Sequence, residues 1–330
     1  MRIDRRSLFG FAAAVAGSTA AAPALAQMQP GPKLAPPDPT EVWKLWPNGA
    51  PGGERVTVTA AVTERSTDPA FHDRFAQYTT DPILTVMRPI TPTGASMILI
   101  PGGGYKWSVV DKEGFDVARV FAEAGVTCFV LRYRLPADGW AAGAEAPLQD
   151  AQRAVRMVRS RAAEFGLDPA RVAVLGASAG GHLAGWATAE ATAAYAPVDA
   201  HDAVSLRPDF SILMYPVATM ADPFVHAGSR EQLLGAAPSA ERIKAYSLEE
   251  MDWSGAPPVW LIHAIDDASV VVENSLNLLS ALRRAKVPAE AHLYEEGGHG
   301  FGVRLIAGKP AAIWPELVLA FGRRNGWLIA

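Results

Sequence analysis

Val172-Ala173-Val174-Leu175 runs straight into Gly176-Ala177-Ser178-Ala179-Gly180-Gly181, and the residues that follow read as a helix. Few local patterns constrain a chain more. A serine on so sharp a strand-to-helix turn is lifted out of its sheet on a strained backbone, and glycines must flank it because side chains there would strike neighbouring elements. Ser178 then presents its hydroxyl to a cleft. A plainer role, a serine closing the start of a small-residue helix, is disfavoured by the strand immediately before it.

The rest of the chain has the pattern such a turn needs. Short apolar runs alternate with amphipathic stretches, as expected of an α/β fold whose strands cross over through helices into a mostly parallel central sheet with helices on both faces. Buried strands are expected over residues 97–101, 126–133, 171–175, 210–215 and 259–263, with a last strand over 289–294. Helices are expected over 114–124, 148–165 and 313–323. With 330 residues, 49% of them hydrophobic, the chain can bury a core of that size as one domain. Residues 27–40 carry Pro30, Pro32, Pro36, Pro37 and Pro39, which favours an extended, mobile arm, so the folded α/β domain is expected over 41–330. Residues 217–255 interrupt the sheet order and either cap the site or decorate the surface.

A serine hydroxyl is a weak nucleophile at neutral pH unless a base takes its proton. In this arrangement the partners follow in the order serine, acid, histidine, which removes His72 from the seven histidines. His299, in Glu296-Gly297-Gly298-His299-Gly300-Phe301, follows the last expected strand, where glycines let a loop carry an imidazole over the sheet edge. It is the expected base. His182, one helical turn past Ser178, is expected to pack or hydrogen-bond beneath the turn, and His263 to support the acid loop.

The acid should leave the strand before the last, and Val259-Trp260-Leu261-Ile262-His263 leads into Ala264-Ile265-Asp266-Asp267-Ala268-Ser269-Val270. Adjacent side chains point in different directions, so one aspartate reaches the imidazole and the other caps the turn; spacing does not say which. Attack on a carbonyl also places charge on its oxygen, which demands fixed donors. Pro101-Gly102-Gly103-Gly104-Tyr105 follows a strand and exposes amides at Gly103 and Gly104, and Ala179 after the nucleophile supplies a third. A phosphate cradle is disfavoured here because no nucleotide fingerprint follows the glycines.

These residues resemble the α/β-hydrolase superfamily, and more narrowly its acetylxylan-esterase and feruloyl-esterase-like carbohydrate esterase branch. The likeness rests on Trp46-Pro47-Asn48-Gly49-Ala50-Pro51-Gly52, Pro101-Gly102-Gly103-Gly104-Tyr105, Lys112-Glu113-Gly114, Tyr133-Arg134-Leu135-Pro136, the Ser178 turn with His182, and the Asp267 and His299 loops. In that family the acid stands three positions before a valine, which implies Asp267 through Val270 and leaves Asp266 the lesser candidate. Pro101 stands where similar esterases often carry histidine, and Val271 where they often carry proline. The resemblance implies a serine ester hydrolase acting through an acyl-enzyme on short-chain, above all acetyl, esters of carbohydrate such as acetylated xylan. No metal or organic cofactor is needed by that chemistry. Tyr105 and Trp107 adjoin the glycine loop and are candidates for lining the site; Trp140, Trp186 and Tyr215 are weaker ones. A lipase-like or general carboxylesterase is the alternative. A serine peptidase of this fold usually carries a large gating domain, and a non-catalytic binding protein would have no need of the three catalytic residues.

At the amino end, Arg5-Arg6-Ser7-Leu8-Phe9, an Ala-rich stretch and Ala24-Leu25-Ala26 read as a cleavable export signal over residues 1–26. The paired arginines resemble the twin-arginine pattern, which implies the twin-arginine export machinery as a partner and a periplasmic or secreted location. Losing Arg2, Asp4, Arg5 and Arg6 takes the formal charge from -4 to -6. That balance offers no field for nucleic acid or anionic lipid. No later segment could span a bilayer, so no stable membrane association is expected after cleavage. Cys128 is the sole cysteine, which excludes an internal disulfide.

Overall fold

Predominantly apolar runs become the inner parallel strands. The computed structural model describes residues 34–329, so the expected signal over 1–26 lies outside the described residues. The described chain forms strands β1 (Val42–Lys44), β2 (Ala61–Glu64), β3 (Arg74–Gln77), β4 (Ile83–Met87), β5 (Ser96–Ile100), β6 (Thr127–Arg132), β7 (Val172–Ala177), β8 (Phe210–Met214), β9 (Val259–Ala264) and β10 (Ala289–Tyr294). Its helices are α1 (Asp116–Glu123), α2 (Ala146–Ser160), α3 (Ala179–Ala189), α4 (Ala227–Leu234), α5 (Ala240–Ala245), α6 (Glu273–Arg284) and α7 (Trp314–Arg324).

Eight strands form one sheet in the order β1-β4-β6-β5-β7-β8-β9-β10. β6 through β10 are joined by parallel pairings, whereas β4 and β1 add antiparallel strands at one edge. Strand alternation sends Met97, Leu99, Cys128 and Val130 to one face, under Phe121 of α1 and Trp314 of α7. Ile98, Ile100, Phe129 and Leu131 go to the other, against Val155 of α2, Leu183 of α3 and Leu278 of α6. Because both faces are covered, β5, β7, β8 and β9 are buried at every residue, which is why their sequences do not alternate.

The expected strands and helices form within a few residues of their expected limits. The expected helix over 148–165 divides into α2 and a separate 3-10 turn at Ala162–Phe165. Four strands have no counterpart in the sequence reading: β1, β4 and the antiparallel pair β2–β3, which forms a small second sheet. That pair has a task at the site. Ala76 of β3 exchanges both backbone hydrogen bonds with Ser108, at 2.8 Å each, and so braces the loop that follows β5.

Residues 34–40, the described end of the proline-rich segment, contain no helix or strand. They are tied down by the Ala35 amide donating to the Pro69 carbonyl and by Asp38 pairing with Arg74 at 2.6 Å. A second anchor lies deeper. Asp150 and Arg134 form an ion pair at 2.8 Å with both side chains fully buried, and Trp46 Nε1 donates to Asp150 Oδ1 at 2.7 Å. Arg134 also donates to the Pro51 carbonyl at 2.8 Å. The Trp46–Gly52 and Tyr133–Pro136 motifs are therefore two sides of one buried polar joint.

Candidate active site

Four loops leave the carboxyl ends of β5, β7, β9 and β10 and meet over the sheet edge, where open α/β sheets place their ligand sites. Ser178 sits between β7 and α3 with φ 56° and ψ −121°, a conformation that costs a non-glycine residue of order 1–3 kcal/mol. Neighbours hold it there. Its amide donates to the Met214 carbonyl at 3.0 Å, and its carbonyl accepts from Val217 at 3.0 Å and His182 at 3.1 Å. Gly180 has to be glycine, because a Cβ would lie 2.0 Å from the Ile100 carbonyl oxygen.

Ser178 Oγ lies 2.8 Å from His299 Nε2, and His299 Nδ1 lies 2.7 Å from Asp267 Oδ2. A carboxylate only accepts, so Nδ1 carries the imidazole proton and Nε2 is free to take that of the serine. Asp267 Oδ1 accepts the amides of Ser269 and Val270, each at 2.9 Å. Burial alone would raise its pKa, but hydrogen bonds from His263 and His299 and the Val270 amide hold it well below the usual carboxylate range. Asp267, the aspartate that the resemblance implied, is thus the one that meets the imidazole.

Asp266 has a different task from the expected turn cap: its Oδ1 accepts the amide of Gly298 at 2.8 Å, across to the His299 loop. His263 is buried behind Asp267, with Nε2 donating to the Val270 carbonyl at 2.8 Å and Nδ1 accepting from Ser275 Oγ at 2.7 Å. It supports the acid loop from within. His182 lies beneath the turn, accepting from the Tyr105 hydroxyl at 2.8 Å and donating to the Tyr246 carbonyl at 2.7 Å. Burial pushes its pKa down to about 4, so the ring is neutral.

The loop after β5 turns through positive φ at Gly103 (132°), Gly104 (65°) and Tyr105 (60°). The Gly102 amide is taken by Glu113 Oε2 at 2.8 Å. Among the described residues, the amides of Gly103, Gly104 and Ala179 meet no acceptor, and Ala179 opens α3, where the helix dipole favours negative charge. Glu113 Oε1 accepts the Tyr215 hydroxyl at 3.1 Å, and Tyr215 in turn accepts the Gly302 amide at 3.2 Å. One buried carboxylate thus links the glycine loop to the chain beyond His299.

A cleft of about 420 Å³ contains Gly103, Gly104, Trp107, Ser178 and His299. Trp107 lines it as expected. Tyr105 does not: its side chain is completely buried between Tyr133 and His182, because the left-handed turn at Tyr105 sends the ring into the core. Trp140, Trp186 and Tyr215 are likewise buried. His226, Gly228, Glu231 and Gln232 form part of the cleft wall, so the segment 217–255 contributes to the site rather than only to the outer surface. A hydroxyl bonded to a carboxylate-oriented imidazole beside unpartnered amides can attack a carbonyl and stabilise the oxyanion that results.

Residues 97–303 match the α/β-hydrolase fold family. The chain belongs to that family. This α/β-hydrolase is 34% identical over 207 residues to endo-1,4-beta-xylanase B of Butyrivibrio fibrisolvens, a match covering 63% of the chain and 32% of that protein. It is 32% identical over 218 residues to an acetylxylan esterase of Xylanibacter ruminicola, covering 65% and 42%. It therefore spans less than half the length of these curated relatives. Among solved structures, an acetyl ester-xyloside bifunctional hydrolase from Caldicellulosiruptor lactoaceticus superposes with TM-score 0.70 at 31% identity, over 89% of this chain and 99% of that one. A thermophilic esterase from Thermogutta terrifontis gives TM-score 0.62 at 25% identity, over 82% and 96%.

Three functional contributions escaped the sequence reading. Glu113 stood in a motif carried by the resemblance, but nothing local signals that a carboxylate eleven residues on will cap Gly102. The Asp266 tether spans 32 residues and depends on the β9–β10 register. His226 was missed because it directly follows none of the expected strands, so nothing local places it over the sheet edge.

Proposed function

We propose that the protein is a serine carboxylic-ester hydrolase that removes short acyl groups, acetyl above all, from carbohydrate esters such as acetylated xylan. The observation that carries this reading is the relay Ser178 Oγ–His299 Nε2 at 2.8 Å and His299 Nδ1–Asp267 Oδ2 at 2.7 Å, beside the free amides of Gly103, Gly104 and Ala179. The carbohydrate part is supported by the acetylxylan esterase and the acetyl ester-xyloside hydrolase among its relatives.

In this mechanism Ser178 Oγ attacks the ester carbonyl as its proton passes to His299 Nε2. The three amides receive the oxyanion, and Asp267 stabilises the imidazolium. Collapse breaks the C–O bond, and the alcohol leaves with the proton from His299. A water then gives a proton to His299 and attacks the acyl-enzyme; the acid departs and Ser178 regains its proton. The test is hydrolysis of nitrophenyl acetate, butyrate and octanoate, with Ser178→Ala as control. Acetate turned over fastest, with a loss of 10³-fold or more, about that of a removed nucleophile, in the variant is the expected result. Equal activity in Ser178→Ala would refute the assignment.

We further propose that residues 1–26 export the protein by the twin-arginine route, on the strength of Arg5-Arg6 ahead of the Ala-rich stretch. Cell fractionation with both arginines changed to lysine should leave the full-length chain in the cytoplasm; unchanged export would exclude this route.

A further inference from the structure

An acetyl group fills only a small part of a cleft of about 420 Å³ beside Ser178, and the remaining space has an uneven lining. The wall drawn from α4 and the residue before it is polar. His226 accepts the Ser229 amide at 3.1 Å and the Ser229 hydroxyl at 2.8 Å, both at Nδ1. An imidazole nitrogen that accepts has no proton of its own, so the neutral ring carries its hydrogen at Nε2.

Among the described residues Nε2 has no hydrogen-bond partner and is not among the buried unpaired atoms, and the residue that carries it lines the cleft. Cε1 of the same ring lies 3.9 Å from where a Cβ on Gly104 would sit, which sets the ring beside the oxyanion loop. Burial, then the neighbouring His299, lower its pKa and keep it a neutral donor. Farther along the wall, the side chains of Glu231 and Gln232 are also without partners among the described residues, and Trp107 adds an aromatic face. Charged and amide groups would desolvate at a cost against a hydrocarbon chain. Hydroxyl groups, which both donate and accept, can satisfy all three.

We propose that His226, Glu231 and Gln232 form a subsite for the hydroxyl groups of a sugar, holding the alcohol half of the ester, with His226 Nε2 as the subsite donor on the side of the oxyanion loop. This rests on the ester-hydrolase reading above and adds where and how the alcohol is recognised.

The test compares two acetates that differ only in their alcohol: a monoacetylated methyl xyloside and nitrophenyl acetate. His226→Asn is the chosen variant, because asparagine also caps a helix start and so keeps the Ser229 contact while removing the Nε2 donor. It should lower kcat/KM for the sugar acetate about five- to tenfold more than for nitrophenyl acetate, mainly through KM, as expected for loss of one hydrogen bond to a neutral group. Gln232→Ala, which leaves the helix cap intact, should shift the ratio in the same direction.

An unchanged ratio in both variants overturns the subsite while leaving the esterase reading intact. An equal fall on both acetates also overturns it, since His226 would then act on the reacting ester and not on the alcohol. If the wild type cleaves nitrophenyl acetate through Ser178 but not the sugar acetate, the carbohydrate assignment and the subsite fail together. No Ser178-dependent turnover of either acetate removes the esterase reading itself.

Discussion

Asp266 Oδ1 accepts the backbone amide of Gly298 at 2.8 Å, one residue before the histidine that Asp267 orients. Two adjacent aspartates at the end of β9 thus fix one loop twice, Asp267 through the ring and Asp266 through the backbone. Asp266 is exposed and Asp267 is buried, so the two should differ sharply on removal. Asp267→Asn should cost about 10⁴-fold in kcat by disturbing the imidazole tautomer. Asp266→Ala should cost only about three- to tenfold, the scale of one ordinary hydrogen bond. Asp266→Asn, which keeps an acceptor, should recover most of it. Steady-state kinetics on nitrophenyl acetate decide the matter: a variant Asp266→Ala as crippled as Asp267→Asn would mean that the roles are shared.

Gly103 is the hinge of the oxyanion loop, and its conformation forbids a side chain. At φ 132° a Cβ would stand 2.3 Å from both the Trp107 carbonyl oxygen and its Cδ1. Gly103→Ala must therefore move the loop, and kcat should fall by roughly 100-fold, as when one oxyanion donor is lost. Gly104 has no atom nearer than 3.9 Å to its absent Cβ, so Gly104→Ala meets only the left-handed backbone cost of about 1–2 kcal/mol. Parallel kcat and thermal-unfolding measurements should find the larger kinetic loss at Gly103.

The parallel strands and the relay were legible because each is encoded locally. β5, β7, β8 and β9 are buried on both faces and so read as nearly continuous apolar runs, while Ser178 and His299 stand among glycines at strand ends. β1 has three residues and β2 is exposed throughout, so neither leaves an apolar signature. Tyr105 misled for a related reason: adjacency to the glycine loop is visible in sequence, but the sign of its φ is not, and that sign turns the ring inward. Glu113 and His226 reach the site through tertiary packing alone, which no window of sequence contains.

His182 gives the fold a dependence on acid. Its pKa is about 4 in the buried network and 6.5 for a free side chain, so between those values the unfolded chain binds the extra proton. The sign follows directly. Above pH 6.5 both states are neutral and the group is indifferent, and as pH falls toward 4 the folded state loses ground. Between pH 7 and 5 the loss should be about 2 kcal/mol. Urea unfolding at the two pH values, compared with His182→Gln, checks this: the variant should be less stable at pH 7 yet should lack that share of the pH dependence. Equal slopes in both proteins would assign the acid sensitivity elsewhere.

The buried joint between Arg134 and Asp150 should matter for stability and not for chemistry. Both side chains are fully buried, and Asp150 takes hydrogen bonds from Trp46 Nε1, the Arg134 amide and the Arg134 guanidinium. Removing the carboxylate leaves a guanidinium in the core with only the carbonyls of Pro51 and Ala146 and the Gln149 amide oxygen as acceptors. Breaking one side of such a pair typically costs about 3–5 kcal/mol, because the surviving charge is uncompensated. Asp150→Ala should therefore lose a large part of the total stability of a domain, commonly about 5–15 kcal/mol, and accumulate poorly. Arg134→Met with Asp150→Leu removes both charges and should be markedly more stable than Asp150→Ala alone, even though it deletes more hydrogen bonds. Denaturant midpoints of the three proteins separate the two accounts. If the double variant is no better than the single one, the joint stabilises through its hydrogen-bond geometry to Trp46 and Pro51 rather than through charge compensation, and the amino-terminal segment should then detach first on unfolding.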